Sequence, residues 1–481
     1  MVGFTGQSYK PHPLWAFRVN GGVSASFLIP ASGAGSSLFT HASSFGEGLV
    51  RLRYLCSVDK VLVVGRGARE HAIAHKALLS GRLEVYVAPG NAGMQPPIHR
   101  LPIEENAIAA LRDFIRQEKV RYVVVGPEVP LVRGLYDDLY DLATVVGPPQ
   151  ALTFLEGSKA RAKDFMRSHN IPTANYWVFE ASQGAEVEKF LKDASYPIVL
   201  KASGLAAGKG VLVARTAEEA LDFARGALSG QRFGRAGQTL VIEEFLPGVE
   251  RSVFILSDGK GYVLLPTAQD YKRLRDGDEG PNTGGMGALA PTADEPNWID
   301  TVREKIIEPT LHALKKNHRP YQGFLYFGLM KVGVDPYVLE YNIRLGDPEA
   351  QVVLPLIENG MDELLFYYHY QKLSELKVRF HRRYAVGVVA ATAGYPEAPQ
   401  AGARIAMSSL SEGGTYVAPG TYVYWSGVRE AGDNALETTG GRVYTAVGLS
   451  DTLEEARQKA YSVIERLPFA DMQYRTDIAR A

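Results

Sequence analysis

A chain of 481 residues is long for a single hydrophobic core and suits two or three domains. Its composition, 46% hydrophobic and 22% charged with a net charge of -1, is that of a soluble globular protein with no overall field for nucleic acid or an anionic membrane. No apolar run approaches the ~18 residues of a membrane span, and the single cysteine, Cys56, excludes an internal disulfide framework or a cysteine-based metal site and points to a reducing compartment.

The first 59 residues stand apart, with Glu47 and Asp59 as their only acids against Lys10, Arg18, Arg51 and Arg53. A basic, serine-rich, acid-poor start is the signature of an organellar transit peptide. A disordered tail or a misplaced start codon would give the same composition. Targeting would put the protein in an organelle, the chloroplast ahead of the mitochondrion; otherwise the address is cytoplasmic.

From Lys60 the pattern changes. Residues 61–64, 83–87, 122–125 and 144–146 read as strands, separated by helical stretches beginning near Arg69, at 108–119 and from about Leu131. Strands alternating with helices at this spacing predict a parallel α/β domain to about residue 150. The middle reads as a helix at 159–169 and strands at 197–201 and 211–213, then a helix capped by Thr216 with Glu219 three residues on. Further strands are expected at 241–245, 252–256 and 262–265. Residues 326–332 and 337–341 are expected to pair across a turn at 334–336. This is an antiparallel-rich α+β section. The last section, from about Tyr384, offers strands at 386–391, 420–425 and 442–447 and a helix at 453–466.

Several segments carry chemistry. The turn Gly65-Arg66-Gly67-Ala68-Arg69-Glu70 follows a strand and opens a helix, where free amides and Arg69 suit a phosphate. Glu70 stands where a dinucleotide fingerprint has its third glycine, so a nicotinamide enzyme is a weaker alternative. The segment Gly204–Gly210, containing Gly208 and Lys209, is one residue short of a P-loop and lacks its Ser/Thr, yet a small flexible loop with a lysine suits closure over a triphosphate. Lys201, on a buried strand, needs an anionic partner. Glu243, Glu244, Phe245 and Leu246, followed by Glu250, suit a nucleoside pocket. The run from Asn282 through Gly284, Gly285, Met286 and Gly287 implies close backbone approach to another group. Strand alternation places Glu340 and Asn342 on one face and Tyr341 on the other. Their oxygens suit Mg²⁺, which takes its remaining ligands from phosphate and water. Arg344 and Asp347, just beyond, form a mixed-charge pair suited to a zwitterion.

Eight segments in order (65–71, 89–93, 126–128, 155–159, 201–210, 243–246, 281–287 and 339–349) resemble the phosphoribosylamine–glycine ligase family of ATP-grasp enzymes. The resemblance runs from about Lys60 to Ala481, with Ala68, Ser203 and Tyr271 departing from the family's usual glycine, aspartate and histidine. It implies an α/β and α+β multidomain fold: a doubly wound parallel-sheet domain at 60–157 and an ATP-grasp core at 158–375, with a mobile lid at about 175–247. A small β-rich C-terminal domain at 376–481 completes it. It also implies ligation of glycine to 5-phosphoribosylamine through glycyl phosphate, a step of purine biosynthesis. Lys159 and Lys201 would then hold ATP phosphates under the loop at Gly208 and Lys209. Glu243, Glu244, Phe245 and Leu246 would frame adenine and Glu250 the ribose, with Arg273 and Asn282 also on nucleotide. Glu340 and Asn342 would hold Mg²⁺ or Mn²⁺. Gly65, Gly67, Arg69, Glu70, Asn91, Gly126, Pro127 and Glu128 would face phosphoribosylamine. Arg344 and Asp347, with Gly284, Gly285 and Met286 nearby, would meet glycine, and Lys201, Arg344 and Asp347 would carry the chemistry. Partners are small molecules, with no nucleic acid or membrane, and the working unit is a monomer or weak dimer. Competing expectations are another ATP-grasp carboxylate–amine ligase, a carboxylating member of that superfamily, and a catalytically silent nucleotide-binding regulator.

Overall fold

The computed structural model describes residues 58–206, 208–294, 297–317, 319–407 and 415–480. The targeting expectation for residues 1–59 falls, apart from Val58 and Asp59, outside them. Among the described residues no helix is long and apolar enough to cross a membrane.

The first sheet is parallel, with β1 (Asp59–Gly65), β2 (Leu83–Pro89), β3 (His99–Arg100), β4 (Tyr122–Val125) and β5 (Thr144–Val146) in the order β3-β2-β1-β4-β5. Val61, Leu62, Val63 and Val64 are fully buried, because helices cover both faces of such a sheet and leave no solvent side to alternate towards. The chain winds outward from β1 to β2 and β3, then returns to β4 on the other side. The carboxyl ends of β1 and β4 therefore meet at the topological switch point, where doubly wound sheets bind ligands. Gly65 and Gly126 lie there, with the Gly126 amide donating to the Val64 carbonyl at 3.0 Å. The helix expected from about Leu131 is instead two short helices, Glu128–Val132 and Leu135–Leu139, parted by Gly134 at φ +93°. That left-handed turn suits glycine and ends the first helix.

The middle of the chain builds two antiparallel sheets. One orders β6 (Tyr176–Glu180), β7 (Ile198–Ala202), β8 (Val211–Ala214) and β9 (Thr239–Glu244) as β6-β9-β7-β8. It has its own core, including Val187, Leu191, Leu200, Phe223 and Ile242. The helix Ala217–Leu228 starts as expected, with the Thr216 hydroxyl accepting from the Glu219 amide. The other sheet runs β11-β10-β16-β17, from β10 (Val249–Asp258), β11 (Tyr262–Leu264), β16 (Gln322–Val332) and β17 (Asp335–Asn342). The turn expected at 334–336 is tighter: Val332 already pairs with Asp335, and Gly333 at φ +59° turns the chain. Pro336 is tolerated because β17 is an edge strand. Register slips between Gly328 and Leu329, so that Leu339 is an extra, unpaired residue immediately before Glu340.

A fourth, six-stranded sheet crosses the expected domain boundary. Its order is β12-β15-β18-β24-β21-β20, built from β12 (Gln269–Asp270), β15 (Gly287–Ala290), β18 (Tyr384–Ala391), β20 (Tyr416–Ala418), β21 (Thr421–Trp425) and β24 (Arg442–Ser450). Between β12 and β15 the chain leaves the sheet as a hairpin of β13 (Arg273–Arg275) and β14 (Glu279–Asn282). Three short strands, β19 (Arg404–Ala406), β22 (Val428–Glu430) and β23 (Ala435–Thr438), form a small separate sheet. The helix Leu453–Arg466 follows β24, with the Thr452 hydroxyl accepting from the Glu455 amide.

The helix Ala68–Leu78, labelled α1, docks on β21. The Trp425 amide donates to His71 Nδ1 at 3.0 Å, and His75 Nδ1 lies 3.2 Å from the Tyr424 hydroxyl. Burial, with a contribution from each one's cationic or imidazole neighbour, lowers His71 to about 3 and His75 to about 4. Both stay neutral in the fold while the unfolded chain takes up protons near the usual ~6.5. Stability contributed by this arrangement is therefore present above that value and is lost as pH falls towards 4. We predict that acidification from pH 7.5 to 5 lowers unfolding free energy by about 1–2 kcal/mol per histidine. Urea titrations at the two pH values check this, and His75→Gln shrinks the difference.

Candidate functional site

The site draws residues from all four of the larger sheets, and its nucleus is a set of buried charges. Lys159 and Lys163 come from one helix, Lys159–Ser168, at a spacing that puts both on one face. Ser158 caps that helix, its hydroxyl accepting from the Arg161 amide. Glu243 on β9 stands between Lys163 and Lys201, with both ammonium groups at 2.8 Å. All three side chains are nearly excluded from water. Burial alone would raise Glu243, but the two lysines hold it below the usual carboxylate range, while burial draws Lys163 down to about 8. Lys201 also donates to the Leu339 carbonyl at 3.2 Å, which the β17 bulge leaves outside the ladder.

Glu340 is the next carboxylate along that strand. Burial would raise it, yet Lys272, Lys159 and Lys201 surround it and keep it ionised. Tyr341 points into the core, where its hydroxyl meets Thr310 at 2.9 Å, so the expected alternation of faces holds. Asn342 Oδ1 accepts from Arg344 at 3.3 Å. Lys272 pairs with Glu250 at 2.8 Å.

Two glycine-rich loops close one side. Gly208, at φ +75°, comes so near that a β-carbon there would lie 3.2 Å from the Thr283 carbonyl. Asn282 Nδ2 donates to the Val211 carbonyl at 3.4 Å, and Arg273 donates to the Gly280 carbonyl at 2.8 Å. Lys209 reaches away from the lysine cluster and donates to the Pro396 carbonyl at 2.7 Å. Glu244 clasps Asn175, accepting from its amide and side chain, each at 3.0 Å. Phe245 is exposed and Leu246 half-buried at the end of β9. Ser203 accepts from the Ala160 amide at 3.1 Å, and Tyr271 accepts from the Ala479 amide at 3.1 Å, so these two of the three departures from the family pattern are built into local contacts.

Arg344 joins the end of β17 to the short helices Glu128–Val132 and Phe154–Gly157. It pairs with Glu156 at 2.7 Å and Glu128 at 3.4 Å, and the Ile343 amide donates to Glu156 at 2.8 Å. Burial lifts Glu156 to about 7 against the pull of Arg344, whereas Arg344 and Arg69 overcome burial to hold Glu128 low. Arg69 donates to the Leu345 carbonyl at 3.3 Å and pairs with Glu70 at 2.6 Å. The Glu70 carboxylate tucks under the turn: its other oxygen accepts from the Gly67 amide at 2.6 Å, and a β-carbon at Gly65 or Gly126 would strike it. Asn91 is similarly engaged, donating to the carbonyls of Arg66 at 2.7 Å and Trp425 at 2.8 Å. Pro127 follows Gly126 as the N-cap of the helix that Glu128 begins.

Asp347 is held by Arg442 at 3.1 Å and Gln351 at 2.8 Å. Arg442, the first residue of β24, also donates to the carbonyls of Gly284 at 2.6 Å and Asp347 at 2.8 Å. Gly285 is packed against Pro348, and Met286 is fully buried with its amide on the Tyr271 carbonyl at 2.8 Å. Met286 therefore fixes the loop from inside the sheet. The structure thus brings Lys159, Lys201, Glu243, Glu340, Asn342, Arg344 and Asp347 together with Lys163, Glu156, Lys272 and Arg442, which sequence reasoning missed. The i, i+4 repeat of Lys159 and Lys163 signals one of these. An arginine opening an apolar strand signals Arg442 only faintly.

Descriptions of phosphoribosylglycinamide synthetase domains match three stretches of the chain: the N domain over residues 59–156, the ATP-grasp (A) domain over 157–350 and the C domain over 385–481. A phosphoribosylamine–glycine ligase from Caldanaerobacter subterraneus subsp. tengcongensis is 41% identical over 424 residues, which cover 87% of this chain and 99% of the relative. The crystal structure of a phosphoribosylamine–glycine ligase from Thermotoga maritima is similar with a TM-score of 0.75 and 37% identity, covering 87% of this chain and all of that one. The biotin carboxylase domain of a Hydrogenobacter thermophilus 2-oxoglutarate carboxylase, at 17% identity and a TM-score of 0.64, shares the fold alone.

Glu243 neutralises two buried lysines at once. We predict that Glu243→Ala lowers unfolding free energy by about 3–5 kcal/mol, since it leaves both cations buried without that partner. Urea denaturation at pH 7.5 measures it, and a loss below about 1 kcal/mol would show that the lysines find other partners.

Proposed function

We propose, since the chain belongs to the phosphoribosylamine–glycine ligase family, that it joins glycine to 5-phosphoribosylamine, yielding glycinamide ribonucleotide, ADP and phosphate in purine biosynthesis. A carboxylate is a poor electrophile. The γ-phosphoryl group of ATP therefore passes to the glycine carboxylate, giving glycyl phosphate and ADP. The neutral amine of phosphoribosylamine then attacks the acyl carbon; the C–N bond forms, the nitrogen gives up a proton to water or the departing phosphate, and the acyl C–O bond breaks to release inorganic phosphate. No covalent bond to the enzyme is needed.

The convergence of Lys159, Lys201 and Lys272 on Glu340 carries the assignment of roles. Phosphoryl transfer requires positioning and charge neutralisation above all, and Lys159 and Lys201 would hold the phosphates beneath the loop at Gly208 and Lys209. The backbone at Glu243 and Glu244, walled by Phe245 and Leu246, would take adenine, Glu250 the ribose, and Arg273 and Asn282 the rest of the nucleotide. Glu340 and Asn342 offer one anionic and one neutral oxygen, a donor set that fits Mg²⁺ or Mn²⁺ beside phosphates. The ion would neutralise charge on the transferring group. Gly65, Gly67, Arg69, Gly126, Pro127 and Glu128 border the switch point where phosphoribosylamine would lie, with Glu70 and Asn91 positioning that turn. Arg344, Asp347, Gly284 and Gly285 border the place for glycine, supported by Met286. Glycyl phosphate would hydrolyse in open water, so the sheet of β6–β9, within the proposed lid at about 175–247, would close over it. The divisions 60–157, 158–375 and 376–481 serve as working domains, and all site groups coming from one chain supports a monomer or weak dimer.

Purified protein should release ADP only with both glycine and phosphoribosylamine present; bicarbonate-dependent turnover would refute the assignment. Glu340→Ala should cut turnover by about a thousandfold or more, with circular dichroism unchanged. We also propose that residues 1–59 direct the chain to an organelle, a view supported by their composition. A fluorescent fusion of those residues should concentrate in plastids or mitochondria, and a diffuse cytosolic signal would sink that reading.

A further inference from the structure

Arg273 and Asn282, the two nucleotide groups proposed outside the broad sheets, sit at the base of the β13–β14 hairpin. Its strands, of three and four residues, form a two-stranded sheet of their own. Arg273 pairs with Asn282 and Arg275 with Glu279, with a register slip between them, and the tip is exposed. A hairpin of this size is marginal in water by itself, so its position needs an outside anchor.

The anchor is residues 473–480. Gln473 exchanges both backbone hydrogen bonds with Ala391 at the end of β18, each at 2.8 Å. From there the chain crosses to the hairpin tip. The Thr476 amide donates to Asp276 at 2.8 Å, and its hydroxyl donates to the same carboxylate. The Gly277 amide donates to Asp477 at 2.8 Å. Arg475 is only 1% exposed, and its guanidinium forks onto both Asp477 oxygens at 2.7 Å. Its Nη1 donates to Asp278 at 2.7 Å and to the Arg273 carbonyl at 3.3 Å. The same group lies 5.2 Å from the Tyr271 ring centre, within cation–π range. Tyr271 in turn accepts from the Ala479 amide through a hydroxyl that the family's usual histidine lacks. Ile478, fully buried, occupies the space at Gly287, where a β-carbon would lie 2.8 Å from its side chain. The hairpin is thus gripped at its tip, along its first strand and where the chain enters and leaves it.

We propose that residues 473–480 are a strap that holds the β13–β14 hairpin ready for nucleotide, a role resting on the ligase reading above. Arg475 is its positioning residue and acts through the Arg273 backbone. Ordering a loose hairpin as ATP arrives would cost backbone entropy, and a hairpin ordered beforehand spares the ligand that cost. Losing the strap weakens nucleotide binding in the ground and transition states alike, which raises KM with little change in kcat. A lysine would not substitute, because an ammonium cannot fork onto Asp477 while reaching Asp278 and a carbonyl.

The test is Arg475→Ala in the full-length protein. KM for ATP should rise about 3- to 30-fold, while kcat and the KM values for glycine and phosphoribosylamine stay within about twofold. Guanidinium ion at millimolar concentration should restore the ATP KM, and Arg475→Lys should not. Hydrogen exchange gives a readout independent of turnover: amides of residues 273–282 should exchange faster in the variant, and those of β18 at the unaltered rate. Asp276→Ala, at the exposed tip, guards against a folding defect and should act in the same direction with a smaller effect. An ATP KM unchanged in both variants, an equal rise in all three KM values, unaltered exchange in the hairpin, or full activity of Arg475→Lys would overturn the proposal. Unaltered ADP affinity in Arg273→Ala would remove the hairpin's nucleotide role and the strap's with it. Absence of ADP binding by the unaltered protein would instead overturn the ligase reading itself.

Discussion

Cations removed from water set the terms for this molecule. A guanidinium or ammonium group loses several kcal/mol of hydration on burial and persists only where carboxylates replace the water. Arg344 meets that demand with Glu128 and Glu156, which lie on short helices following β4 and β5, and so couples the carboxyl end of the parallel sheet to the strand carrying Glu340. Lys163 and Lys201 meet it jointly through Glu243. Four lysines, Lys159, Lys163, Lys201 and Lys272, thus face three carboxylates, Glu243, Glu250 and Glu340. The surplus positive charge is suited to a ligand that brings negative charge.

Backbone irregularity does the local positioning. The bulge at Leu339 releases one carbonyl from the ladder, and Lys201 takes it. At the switch point, Gly65 and Gly126 leave room for the Glu70 carboxylate to fold beneath the turn and hold the Gly67 amide and Arg69. In a dinucleotide-binding turn that space belongs to the helix–strand contact of a third glycine. Here it is filled by a side chain, which is a physical reason for setting the nicotinamide alternative aside.

Much of this was legible in the sequence. The fully apolar run at Val61, the capping of the helix after Thr216 and the alternation at Glu340, Tyr341 and Asn342 each obey a local rule, and the fold follows them. What escaped depends on distant partners. β6 buries no residue completely and so shows no clear alternation, and the helix Gly184–Asp193 buries only Val187 and Leu191, too short a signal. The turn before Asp335 moved because Pro336 is acceptable on an edge strand, which local sequence does not reveal. For the charged groups, residue type was readable but pairing was not. Asp347 and Arg344 are only three residues apart in sequence, yet each takes its nearest opposite charge from elsewhere, Arg442 for one and Glu156 for the other.

The sheet that joins β12 and β15 to β18 has a bearing on how the chain can be divided. Hydrogen bonding places these two middle-chain strands beside β18, although more than ninety residues separate β15 from β18 in sequence. A fragment beginning at Tyr384 would therefore uncover one edge of β18, whose residues from Ala385 to Ala391 are all buried in the intact protein. An open, flat and apolar strand edge is a template for pairing with other chains. The C-terminal region is thus better regarded as a lobe completed by the catalytic core than as a detachable module, and expressing it alone should favour self-association over folding.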